Sequence, residues 1–114
     1  MITIAAVLRA QKGSEVVLRQ ALLDVVAYVR ADEPGTVSYF VSEDLNDPCV
    51  FTTYERYVDE AAAERHNASE AVARFFEIAK PILAGSATVV AGREIASKLV
   101  WGCPCQALVI AAPP

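Results

Sequence analysis

The chain has 114 residues, 54% of them apolar, with one histidine, three cysteines and a net charge of −4. That length suits one domain with one modest core, and an apolar share above the usual globular value points to further burial by self-association. No basic run exceeds two residues and no apolar stretch approaches the length of a membrane span, which argues against a nucleic-acid surface and against a membrane protein.

Residues 2–9 are β-branched and apolar without a breaker and predict a buried strand. No basic region precedes them, so the segment does not read as a signal peptide, and the cytoplasm is the default location. Lys12-Gly13-Ser14 punctuates the strand, with Ser14 a good N-cap. Leu18, Leu22, Val25 and Val29, with Ala21 and Val26 beside them, recur at helical spacing until Pro34-Gly35 stops the helix. Thr36 to Glu43 predicts a second strand, with Val37, Tyr39 and Val41 on one side and Ser38, Phe40 and Ser42 on the other. The turn-rich Asp44-Leu45-Asn46-Asp47-Pro48 leads to its hairpin partner, Cys49 to Tyr57. There Phe51, Thr53, Glu55 and Tyr57 share one face, and Val50, Thr52, Tyr54 and Arg56 share the other. Asp59 is suited to cap a short helix and Ser69 a second. In the second, Val72, Phe75, Phe76, Ala79, Ile82 and Leu83 form an apolar stripe, which Pro81 is expected to kink or fray before Gly85 ends it. Ser86 to Ile95 predicts a fourth strand, and after Ser97 the pattern turns irregular.

The order β-α-β-β-α-β is that of the ferredoxin-like split unit, an α+β fold with two helices packed on one face of an antiparallel sheet. The other sheet face then lacks a cover, and Phe40, Val50 and Tyr54 are expected on or near it. An exposed apolar face asks for a partner, and a second copy supplies one by symmetry. A face-to-face homodimer is therefore expected.

His66 is the first candidate for proton chemistry, because imidazole alone has an unperturbed pKa near neutrality. The competing reading is a solvated helix-end histidine. Glu55 stands on a strand among apolar neighbours, and a buried carboxylate must be paired or protonated, so it carries either chemistry or a structural ion pair. Cys103-Pro104-Cys105 closes too short a loop for a relaxed disulfide. A zinc set drawn from Cys49, Cys103, Cys105 and His66 would need a coincidence of folding, so three reduced thiols and no metal are expected.

Two stretches are similar to a known family. Arg30-Ala31-Asp32-Glu33-Pro34-Gly35-Thr36-Val37-Ser38-Tyr39 resembles the R-x-E-P-G-C-x-x-Y turn of the antibiotic biosynthesis monooxygenases, and the run from Phe51 through Tyr54-Glu55, Tyr57, Asp59-Glu60-Ala61-Ala62 and His66 to Ser69 resembles their third strand and following helix. The similarity covers residues 1–96. Residues 97–114 lack a counterpart and are expected to form a C-terminal extension, a strand or arm exchanged with the other subunit. Where many members carry a second histidine, this chain has Ala71.

The resemblance implies a dimeric α/β barrel with a substrate cavity in each subunit between helices and sheet. It also implies a cofactor-free monooxygenase acting on a quinol or polycyclic phenol. In that reading His66 is the general base, Glu55 orients it, and Tyr39, Tyr57, Phe51, Phe75 and Phe76 contact an aromatic small-molecule substrate. Plain core packing competes for Phe75 and Phe76. Two other functions share the pocket: a proton-transfer isomerase, and a ligand-binding or stress-related dimer without catalysis.

Overall fold

A computed structural model describes residues 1–99. Its elements are β1 (Ile2–Arg9), α1 (Glu15–Asp32), β2 (Thr36–Glu43), β3 (Val50–Tyr57), α2 (Glu60–Asn67), α3 (Glu70–Ala79) and β4 (Thr88–Arg93). The extension expected over residues 97–114 lies outside the described residues from position 100 onward, as do Cys103 and Cys105. No helix among the described residues is long and apolar enough to cross a membrane.

Local chemistry explains most element ends. The Asp59 carboxylate accepts the Ala62 N–H at 2.8 Å, and the Ser69 hydroxyl accepts the Val72 N–H at 3.2 Å, so both caps satisfy a free donor of a helix start. Ser14 differs from expectation: it precedes α1 but makes no side-chain cap. The Glu15 carboxylate instead accepts the Gly13 N–H at 2.8 Å, and Gly13 turns the chain with φ +98°. Pro81 does more than kink its helix. It ends the α-helical hydrogen bonding at Ala79, and Lys80–Ile82 continues as a 3-10 turn well ahead of Gly85.

The sheet runs β2-β3-β1-β4, with every neighbouring pair antiparallel. The β1–β2 crossover passes over β3, and the β3–β4 crossover passes over β1, which is the ferredoxin-like arrangement. Register places Tyr39, Glu55, Ile4 and Ala91 in one row across the sheet, and Val41, Thr53, Ala6 and Val89 in the next. Strand alternation turns both rows toward the helices. The apolar interior there is divided in two. Leu8, Leu18, Leu22, Val25, Phe51, Phe75 and Ala79 make the larger cluster, and Ile4, Tyr57, Ala62 and Ala63 the smaller.

Among the described residues, the opposite sheet face carries no helix. Phe40 is 60% and Tyr54 43% exposed, with Val7 and Val90 also open to solvent. Val50, expected among them, is buried at the turn end of the hairpin. On the same face Arg56 binds the Glu94 carboxylate through Nε and Nη2 at 3.0–3.2 Å, tying β3 to the end of β4 across β1.

One close approach positions α2. A Cβ on Gly35 would stand 2.8 Å from the Ala62 Cβ and 3.3 Å from an Arg65 guanidinium nitrogen. Gly35 has no positive φ, so it is there for space rather than for backbone freedom. Gly35→Ala is therefore expected to push α2 off the preceding turn and cost about 1–3 kcal/mol, the usual penalty of overpacking. Urea unfolding measures it; a wild-type midpoint would show that the contact yields freely.

Candidate active site

His66 lies in the last turn of α2, and its backbone is pinned. Its carbonyl accepts the Ser69 hydroxyl at 2.7 Å and the Ser69 N–H at 3.1 Å. The side chain is buried, with the residue 3% exposed, and its ring stands between Tyr39 and Tyr57 at 5.4 Å from each centroid. The solvated helix-end reading does not describe this placement.

Glu33 holds one edge of the ring. It ends α1, and its carbonyl accepts the Thr36 N–H at 3.1 Å, closing the Glu33-Pro34-Gly35-Thr36 turn. Proline at the second position of such a turn presets its backbone. The turn delivers both Glu33 oxygens to His66 Nδ1, at 2.8 and 3.0 Å, while the Thr36 hydroxyl donates to one of them at 2.7 Å. A carboxylate is an acceptor here, so Nδ1 carries the hydrogen and donates it. In the neutral ring the lone pair then belongs to Nε2, on the opposite edge.

Glu55 faces that opposite edge. Its Oε1 is 3.8 Å from Nε2, too far for a hydrogen bond. Both its oxygens are already engaged: Tyr57 donates to Oε1 at 2.5 Å and Thr53 to Oε2 at 2.9 Å. Burial, and then the bond to Glu55, push the Tyr57 phenol far above its ordinary value, so it stays a donor. Burial, with the charges of Glu55 and Glu33, raises Tyr39 likewise. The orienting contact expected of Glu55 is thus made by Glu33. Glu55 sits on the sheet floor opposite Ile4, which puts it below the imidazole on the side away from the turn.

Between the two apolar clusters a cavity of about 110 Å³ remains. Ile4 from the smaller cluster and Leu8, Leu22, Val25 and Phe75 from the larger form its wall, and Glu55, His66, Tyr39, Thr53 and Asn67 are its polar members. The expected site residues divide here. His66, Glu55, Tyr39, Phe75 and Phe76 line the cavity. Phe51 and Tyr57 do not: Phe51 is packed in the larger cluster, and the fully buried Tyr57 turns its hydroxyl to Glu55. Val89 on the edge strand, Phe76 and Asn67 line the cavity while remaining exposed, so its mouth opens to solvent beside them. Among the described residues no lysine or arginine lines the cavity. Cys49, a free thiol, is half-buried at the start of the hairpin strand, away from this group.

Sequence reasoning passed over Glu33, Thr53 and Asn67 as site residues. Glu33 had a usable signal, since it opens the Glu-Pro-Gly turn. Thr53 shares its strand face with Glu55, and Asn67 adjoins His66.

The comparisons agree with this architecture. The family model described as antibiotic biosynthesis monooxygenase matches residues 1–78. A Deinococcus radiodurans structure assigned to that group superposes with a TM-score of 0.78 at 25% identity, covering 90% of this chain and 100% of that one. The protein PA3566 from Pseudomonas aeruginosa superposes at 0.76 with 29% identity, covering 83% and 94%. A Caulobacter crescentus structure at 22% identity shows the same fold, with a TM-score of 0.78 and 83% and 90% covered. No curated protein matches. The chain belongs to the antibiotic biosynthesis monooxygenase family.

Proposed function

We propose that this protein is a cofactor-independent monooxygenase of a small neutral quinol, with Nε2 of His66 as its general base. One observation carries the reading: a buried imidazole is held by Glu33 so that its free lone pair faces an apolar cavity. A phenolic hydroxyl presented to Nε2 loses its proton there. The resulting electron-rich anion passes an electron to dioxygen, and recombination oxygenates a ring carbon. A quinol plus dioxygen becomes a hydroxyquinone plus water, the ring supplying every electron. The protein's part is to position the ring, exclude water and move the proton.

Size and charge narrow the substrate. The cavity of about 110 Å³ is smaller than the roughly 150 Å³ that an engineered apolar hole needs for benzene. One ring entering edge-first, with its far side at the Val89 mouth, suits that space better than a fused polycycle. Two carboxylates and, among the described residues, no lining lysine or arginine disfavour a substrate that is itself anionic.

The helix-free sheet face supports a homodimer, since Phe40, Tyr54, Val7 and Val90 form an apolar surface that a second copy would cover. Light scattering at micromolar concentration is expected to give twice the chain mass, with Phe40→Glu shifting it to the monomer. Monomer alone in the wild type would contradict the pairing.

Oxygen uptake with single-ring quinols tests the chemistry. The expected result is turnover that falls about 100-fold or more in His66→Ala, and binding about tenfold weaker for a quinol bearing a carboxylate. No uptake across a quinol panel, or uptake that survives His66→Ala, overturns the reading. Conversion without oxygen uptake would reassign the pocket to an isomerase. Binding that survives His66→Ala with no turnover would leave a ligand-binding dimer.

A further inference from the structure

His66 is a partition between two hollows. One is the apolar cavity on its Nε2 side. The other, of about 140 Å³, lies on its Nδ1 side and is walled by the Glu33-Pro34-Gly35-Thr36 turn, Asp32 and Tyr28 at the end of α1, and Ala62 and Arg65 of α2. Both reach solvent: the first has the exposed Asn67, Phe76 and Val89 in its lining. Asp32, Pro34 and Arg65 are exposed, so the second hollow is a cleft open to water. Glu33, its side chain only 9% exposed, stands between that water and Nδ1.

On the cavity side the acid nearest Nε2 is already engaged. Glu55 is held by the Thr53 and Tyr57 hydroxyls, and all three residues are buried. The Tyr57 phenol remains a donor and has no vacancy for a further proton. With a substrate over Nε2, the other edge of the ring is Nδ1, and the group on that edge is Glu33, which borders the cleft.

We propose that the cleft is a proton port and that Glu33 is the relay joining Nδ1 of His66 to water, so that the imidazole gains and loses protons while a substrate covers Nε2. The direction of flow during turnover rests on the general-base reading above; the port itself does not. In the forward step the substrate O–H bond breaks and Nε2–H forms, while Nδ1–H breaks and a Glu33 O–H forms, and Glu33 then releases its proton to cleft water. In the reverse step water protonates Glu33, Glu33 protonates Nδ1, and Nε2 hands its proton to the reduced oxygen that leaves as water. The ring ends as it began, with its hydrogen on Nδ1. The charged and titratable groups facing this pair are Asp32, Arg65 and Tyr28 in the cleft, and Glu55, Tyr39 and Tyr57 on the inner side.

The chain's single histidine makes the test direct, because His66 is the one imidazole that nitrogen-labelled histidine reports by NMR. Glu33→Gln keeps an acceptor for Nδ1–H but cannot take up a proton. Exchange of that hydrogen with water, measured without substrate, is expected to slow about tenfold or more in Glu33→Gln and to recover in Glu33→Asp. In Glu55→Gln it should stay near the wild-type rate. Wild-type exchange in Glu33→Gln overturns the port, and so does slow exchange in Glu55→Gln, which would route protons through the cavity side. Neither result depends on finding a substrate: a failed oxygenation assay leaves the port standing, and an unchanged exchange rate removes the port without touching oxygenation.

Discussion

The hydrogen bond from His66 Nδ1 to Glu33 is the contact on which the site depends. A buried imidazole without that acceptor could place its hydrogen on either nitrogen. Glu33 as the acceptor on Nδ1 removes the choice and leaves the lone pair on Nε2, as the carboxylate does in a catalytic triad. The bond also joins the two halves of the fold. Glu33 ends the first crossover helix and His66 closes the short helix of the second. Gly35 lets those halves come close enough for the bond to form, since a side chain there would meet Ala62.

The cavity arises from the same arrangement. The larger apolar cluster fills the space under α1 and α3, the smaller fills the space under α2, and the two do not meet. Close-packed interiors hold few voids larger than a water molecule, so a hollow walled by Leu22, Val25 and Phe75 with an imidazole at its edge is unusual for a chain this small. Its polar groups are few, and none of those lining it is a lysine or arginine among the described residues. Glu55 is stable there because Tyr57 and Thr53 each donate to it; a buried carboxylate without donors would be costly.

Most of the scaffold was legible in the sequence, because its signals are local. The caps Asp59 and Ser69, the helical spacing of Leu18, Leu22, Val25 and Val29, and the alternation of Phe51, Thr53, Glu55 and Tyr57 depend on neighbours a few residues away. Alternation told which residues face the helices, but not which of them reach a void. Phe51 and Tyr57 lie on the same face as Glu55 and Thr53, yet only the latter pair borders the cavity. That distinction depends on where two clusters fail to touch. Glu33 was hidden for a similar reason. Its partner stands 33 positions away on another element, and the Glu-Pro-Gly turn that it opens does not say which side chain it will meet.

The central claim is a statement about one hydrogen, and it can be read without any substrate. Nitrogen NMR of the labelled histidine distinguishes the two neutral tautomers by the shifts of Nδ1 and Nε2. The account predicts that neutral His66 carries its hydrogen on Nδ1 and leaves Nε2 bare. A neutral ring with its hydrogen on Nε2, or one averaging freely between the two forms, would contradict it.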